Sequence, residues 1–248
     1  MKFVVGDIHG EISKLKALVK YILTFDKDPE LIFIGDYLDK GEDPLAVIQY
    51  LTVLNKQHQC TFLYGNHEFI WMNLNPQDIK MREYLAKYGG YATLKSLKMK
   101  DFDDGKEKLL SDCAEFFANL KPYWKDDSFV AVHSGILPEN FSIDIEKIPL
   151  QQLLFNRYDF IKHEELYKGH YRLIFGHTGF FTPFVSSTKI GIDTAACFLP
   201  SQPLSAFCIE KSGTINSKST FIALKEFKNN SCPNIIRTNP WRYDTRSN

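Results

Sequence analysis

Phe3-Val4-Val5-Gly6-Asp7-Ile8-His9-Gly10 sets the pattern for the whole chain. A short apolar run, strand-like in composition, ends in a glycine and then in residue types that ligate metals. Four later stretches repeat it. Leu31-Ile32-Phe33-Ile34 runs into Gly35-Asp36, and Thr61-Phe62-Leu63-Tyr64 into Gly65-Asn66-His67-Glu68. Phe129-Val130-Ala131-Val132 runs into His133-Ser134-Gly135, and Leu173-Ile174-Phe175 into Gly176-His177-Thr178. Apolar runs of this kind fit strands covered on both faces, as in an α/β protein. In such folds ligands bind outside the carboxyl ends of the strands. Five strands that each present polar residues at that end predict one shared site.

The segments between these runs are helical in period. Ile12, Leu15, Leu18, Val19 and Ile22 form one apolar stripe, which predicts a helix packed on the core. Asp43-Pro44 reads as a helix start, with an N-cap residue before proline. Leu45, Ile48, Leu51 and Leu54 give that helix its buried face. Residues 69 to about 125 read as mostly helical, with a break expected near Asp101 to Gly105. Phe116, Phe117 and Trp124 in this region are expected in the core. After Gly176 the pattern turns to strands at Ile190-Gly191-Ile192, Leu204 to Ile209 and Phe221 to Leu224, expected to run antiparallel. Residues 1–227 are expected to form one domain, and the polar stretch 228–248, with Trp241, a loose or surface-docked tail.

Seven histidines are present. His9, His67, His133 and His177 stand beside a strand-end glycine, whereas His58, His163 and His170 do not. Together with Asp7, Asp36 and Asn66 they make a donor set of imidazole and carboxylate, which suits manganese, iron or zinc better than magnesium. A pair of ions needs a shared ligand, and a carboxylate can bridge them. Asp36, on the central run of the series, is the candidate. Two divalent ions, two aspartates and one hydroxide leave a net charge of about +1, which attracts a phosphate dianion. A neutral Asn66 helps to keep that excess positive.

The bulk numbers narrow the class. The chain has 248 residues, 44% hydrophobic and 24% charged, an ordinary globular balance. Thirty basic and thirty acidic residues cancel, so no global field for nucleic acid is expected. No apolar run approaches the ~20 residues of a membrane span, and the first one is too short for a signal peptide. Five cysteines, Cys60, Cys113, Cys197, Cys208 and Cys232, form no C-x-x-C pair. Reduced, mostly buried thiols and a cytoplasmic address are the expectation.

The motifs GDIHG, GDYLDKG, GNHE, HSG and GHT, in this order, resemble those of the phosphoprotein phosphatase family of calcineurin-like metallophosphoesterases, above all its bacterial and phage Ser/Thr phosphatases. Tyr88-Gly89-Gly90 with Thr93-Leu94, Leu153-Leu154-Phe155-Asn156-Arg157, and Ile192-Asp193-Thr194 followed by Leu204-Ser205-Ala206 extend the likeness over roughly residues 3–210. The resemblance implies a mixed α/β fold, a four-layer αββα sandwich of two mixed sheets with a dinuclear metal site at strand ends. It implies that Asp7, His9 and Asp36 hold one ion and that Asp36, Asn66, His133 and His177 hold the other, manganese before iron or zinc. It implies that His67, oriented by Asp39, protonates the leaving group while a metal-bridging hydroxide attacks phosphorus in line. Arg157, Lys40 and Asn66 would bind the phosphate. Lys40 departs from the family, where arginine is usual, and lysine is a point charge without a bidentate grip. Glu68 is expected to be a structural partner, and Asp193-Thr194 to stabilise a turn.

The resemblance implies a phosphomonoesterase acting on phosphorylated protein or a small phosphoester, most closely of the Ser/Thr type. Dinucleoside-tetraphosphate hydrolases share all five motifs and are the near alternative. A nuclease-type phosphodiesterase fits less well, given Glu68, Lys40-Gly41 and the neutral charge. A silent metal-bound scaffold or sensor is the alternative of another class. Lys40 speaks for it and the His67, Asp39 and Arg157 set against it.

Overall fold

A computed structural model describes residues 1–209, 220–225 and 234–235. In chain order it contains β1 (Lys2–Val5), α1 (Ile12–Phe25), β2 (Glu30–Phe33), α2 (Pro44–Leu54), β3 (Gln59–Phe62), α3 (Asn66–Asn73), α4 (Ile79–Lys87), α5 (Gly90–Leu97), α6 (Phe102–Asp112) and α7 (Ala114–Ala118). Then follow β4 (Trp124–Lys125), β5 (Phe129–Ala131), three short 3-10 turns between residues 138 and 153, β6 (Arg172–Phe175), β7 (Phe184–Val185), β8 (Lys189–Gly191), β9 (Ser205–Ile209), β10 (Thr220–Lys225) and β11 (Asn234–Ile235).

The strands form two sheets, ordered β11-β10-β9-β1-β2-β3 and β4-β5-β6-β8-β7. Both are mixed. In the first, β1, β2 and β3 are parallel and β9 runs antiparallel to β1. In the second, β5, β6 and β8 are parallel and β4 and β7 antiparallel. The late strands are therefore not uniformly antiparallel as expected. β9 and β10 are, but β8 pairs parallel with β6, because the chain first forms the edge strand β7 and then turns back through residues 186–188 to place β8 between β7 and β6.

Side-chain alternation along the strands sorts the core into layers. Phe3 and Val5 pack with Leu15, Leu18, Val19 and Ile22 of α1 and Val47, Ile48 and Leu51 of α2. Val4, between them, points the other way and packs with Ile32, Phe129, Ile174, Ile190 and Phe207 between the sheets. Val130, Val132 and Leu173 carry the outer face of the second sheet, covered by Ile136, Phe141, Ile145, Ile148 and Leu153. The helical stripes serve packing, as expected, and the Asp43 carboxylate caps α2 by accepting from Ala46 N at 3.1 Å.

Phe116, Phe117 and Trp124 are buried. The expected break at Asp101 to Gly105 falls earlier, between Leu97 and Asp101, and α6 runs through Gly105. A Cβ there would lie 2.3 Å from Leu94 Cδ2, so this glycine marks close packing of α6 on α5 and not a helix end. Cys60, Cys113 and Cys197 are free thiols, and Cys208 Sγ lies 3.9 Å from Met1 Sδ. Among the described residues no helix is long and apolar enough to cross a membrane. Trp241, Cys232 and, apart from Asn234–Ile235, the expected tail 228–248 lie outside the described residues.

Candidate functional site

The five motif strands belong to two sheets, three to one and two to the other, and their carboxyl ends meet. The loops there are tightly wound. His9, Asp36, Asp39, Lys40 and His177 all have positive φ, between 46° and 65°. Non-glycine residues rarely adopt this conformation, and it concentrates at functional sites. Gly35 lets the Asp36 loop lie against Gly65, whose N would be 2.5 Å from a Cβ at position 35. A Cβ at Gly176 would lie 2.1 Å from Asp7 Oδ1, so only glycine leaves room for that carboxylate.

The structure brings Asp7, His9, Asp36, Asn66, His133 and His177 together, none more than 9% exposed. Asp36 is at the centre. Its Oδ2 lies 3.1 Å from His9 Nε2 and 3.9 Å from His67 Nε2, and its Oδ1 lies 3.4 Å from His133 Nε2. Two donor groups that could hold a metal ion result, His9-Asp36-His67 and Asp36-His133-His177, each with its ligand atoms within 4.8 Å of one another. Asp36 is common to both. Asp7 belongs to neither group but lies beside them, its Oδ2 accepting from His177 N at 3.0 Å.

Backbone carbonyls orient two of the imidazoles. His9 Nδ1 lies 2.8 Å from Leu38 O and His133 Nδ1 lies 2.9 Å from Ile34 O. A carbonyl only accepts, so each Nδ1 carries the proton and each Nε2 presents a lone pair to the site. Burial, then the Lys40 ammonium, lowers His9 to about 4, and burial and His133 lower His177 to about 2. Burial also lowers His133. All three are neutral at pH 7, the state metal binding requires.

Three features fit cations in this site. Asp7 Oδ1 is buried without a hydrogen-bond partner. Burial, Asp193 and Asp36 push Asp7 well above the ordinary carboxylate range, a crowding that cations relieve. The His133 Nε2 lone pair stands 2.9 Å from Asn66 Oδ1, two acceptors face to face. Burial pushes Asp36 upward too, but His133, His67 and His9 outweigh it and hold Asp36 well below its usual value.

His67 differs from the other three. Its Nδ1 bonds Asp39 Oδ2 at 2.6 Å. Asp39 in turn accepts from Trp71 Nε1 at 2.8 Å and Thr93 Oγ1 at 2.6 Å. Burial pulls the imidazole down, but Asp36 and Asp39 outweigh that and raise it above the ordinary histidine value. Its Nδ1 is taken by Asp39, which leaves Nε2 facing the site.

Glu68 accepts from the backbone N–H groups of Asp36 at 2.9 Å, Tyr37 at 2.9 Å, Leu38 at 3.0 Å and Gly65 at 3.1 Å. It is the structural partner expected, and it clamps the whole Asp36 loop to the start of α3. Burial and Asp36 push it up to about 7. Asp193 stabilises its turn through Ala195 N at 2.8 Å. Arg157 is exposed and donates through Nη1 to His177 O at 3.1 Å. Its segment is tied to the His133 loop by Asn156, which donates to Gly135 O at 2.9 Å. Lys40 Nζ lies 2.8 Å from His9 Nε2 and 5.2 Å from the ring of exposed Phe198. Trp71 and Tyr84, whose hydroxyl accepts from Asn66 Nδ2 at 2.9 Å, are site residues that no sequence pattern singled out.

Comparison with known proteins agrees with this geometry. The family model for calcineurin-like phosphoesterases matches residues 3–200. The asymmetrical bis(5'-nucleosyl)-tetraphosphatase PrpE of Oceanobacillus iheyensis is 23% identical over 90% of this chain and 94% of its own. Serine/threonine-protein phosphatase PP1-1 of Saccharomyces cerevisiae is 37% identical over 57% of this chain and 40% of its own. A crystal structure of a putative diadenosine tetraphosphatase superposes with a TM-score of 0.57 at 16% identity, covering 92% of this chain and 94% of that one. The fold, the paired donor sets and a family match across most of the length coincide, and the chain belongs to the calcineurin-like phosphoesterase family.

Proposed function

We propose that this metallophosphoesterase hydrolyses phosphate monoesters, with Asp7, His9 and Asp36 holding one divalent ion and Asp36, Asn66, His133 and His177 the other. The observation that carries this is Asp36, whose two oxygens face different imidazole sets at 3.1 and 3.4 Å. Bound divalent ions supply Lewis-acid charge to the phosphoryl oxygens and acidify water. Imidazole and oxygen donors favour manganese, iron or zinc.

The chain's own groups do the rest. His67, braced by Asp39, holds a proton on Nε2 for the departing oxygen. Arg157 offers its planar fork to two phosphate oxygens. Lys40, whose Nζ lies 2.8 Å from His9 Nε2, adds a point charge. A positioned acid helps most where the leaving group is a poor one, and the alkoxide of serine or threonine is such a group. This supports phosphorylated protein as the substrate class. Dinucleoside tetraphosphate is the second reading, supported by the full-length likeness to the tetraphosphatase relative and by Phe198, an exposed flat ring beside Lys40.

A side-by-side assay with manganese of a phosphoserine peptide, diadenosine tetraphosphate and a bis-aryl phosphate tests this. The peptide is expected to turn over at least about tenfold faster in kcat/KM than the other two. Release of ATP and AMP in preference selects the second reading, and no turnover with any divalent ion selects a silent scaffold. Lys40→Arg is expected to leave metal content unchanged and to tighten phosphate binding by a factor of about three, since the fork adds a bidentate contact. Loss of metal in that variant would remove Lys40 from the phosphate site.

A further inference from the structure

Helix α4 brings Tyr84 to the mouth of the metal-binding groups. Its ring is half-buried, packed at 4.4 Å against Tyr88 and 5.9 Å from His67. Its hydroxyl accepts from Asn66 Nδ2 at 2.9 Å. Among the described residues no acceptor is recorded for its own hydrogen. That hydrogen is therefore available to solvent or to a bound ligand. Asn66 and His67 are both buried beside Asp36, so the hydroxyl that bonds Asn66 stands at the edge of the same group of side chains.

We propose that the Tyr84 hydroxyl is a phosphate ligand of this site and donates its hydrogen to a phosphoryl oxygen held at Asn66 and His67. The assignment rests on the phosphoesterase reading, which supplies the anion. Two consequences follow from one hydroxyl. As acceptor it fixes the Asn66 amide with Nδ2 toward Tyr84 and Oδ1 toward His133, so Asn66 presents its oxygen to the metal side. As donor it adds a directed hydrogen bond, which the point charge of Lys40 does not supply. Tyr84 is thus a specificity element for the tetrahedral anion, independent of what the ester carries.

The test is Tyr84→Phe on the manganese-loaded full chain, read by calorimetric binding of inorganic phosphate and by steady-state hydrolysis of an aryl phosphate. The ring and its packing against Tyr88 are retained. Phosphate affinity is expected to weaken about tenfold, the usual effect of losing a hydrogen bond to a charged group, with a similar fall in kcat/KM and unchanged metal content. Equal phosphate affinity in variant and wild type overturns the proposal. Loss of metal in the variant also overturns it, since Tyr84 would then act through Asn66 alone. Wild-type protein that binds no phosphate and cleaves no ester overturns the phosphoesterase reading itself, a result distinct from the other two.

Discussion

Asp36→Asn is expected to release both metal ions and to lower turnover by at least about a thousandfold. Asparagine keeps the size of the side chain but replaces one oxygen by an amide that donates. The oxygens of Asp36 face Nε2 atoms on two sides, and His9 and His133 both present lone pairs there. A donor amide satisfies one imidazole and cannot share an ion with it. Losing Lewis-acid stabilisation of the phosphoryl group is worth several kcal/mol, and about 4 kcal/mol is a thousandfold. Metal analysis of the purified variant checks this directly. Two ions retained, with activity, would refute the bridging role.

His67→Asn is expected to lower kcat by a factor of roughly a hundred or more while both ions stay bound. The imidazole is tied to Asp39, and Asp39 is fixed by Trp71 and Thr93, so its loss removes a positioned acid and leaves the other donors in place. The pH profile gives a second reading. His67 is held above the ordinary histidine value by Asp36 and Asp39 despite burial. Its proton is therefore present below that raised pKa and lost as pH rises through it, so wild-type kcat should fall on the alkaline side. The variant should lose that limb. With an aryl phosphate, whose leaving group needs little help, the defect should shrink. Metal loss in the variant, or an unchanged alkaline limb, would place His67 among the ligands, as its 3.9 Å approach to Asp36 allows.

Local patterns revealed much of this molecule. The apolar runs ending in Asp7, Asp36, Asn66, His133 and His177 are strands or strand ends where expected, because a buried strand needs only a few consecutive apolar side chains. The stripes of α1 and α2 follow from period alone. Local composition was a poorer guide between these elements. Gly105 and its charged neighbours look like a break, but the helix runs through them, and the glycine is needed because α5 packs too close for a side chain. Ile190 and its neighbours read as antiparallel in pairing, but β8 is antiparallel only to β7 and runs parallel to β6 on its other side.

By itself, then, the sequence determined which residues could donate to a cation and that they stand at strand ends, since both depend on neighbours a few positions away. Only the tertiary structure decided how those ends face one another. Ile34 O holds His133 from 99 positions away, and Glu68 clamps Asp36 from 32. Thr93 steadies Asp39 from 54, and Tyr84 turns Asn66 from 18. Such pairs arise from stacking two sheets and folding helices over one edge, and no short-range periodicity encodes which side chains that stacking will bring into contact.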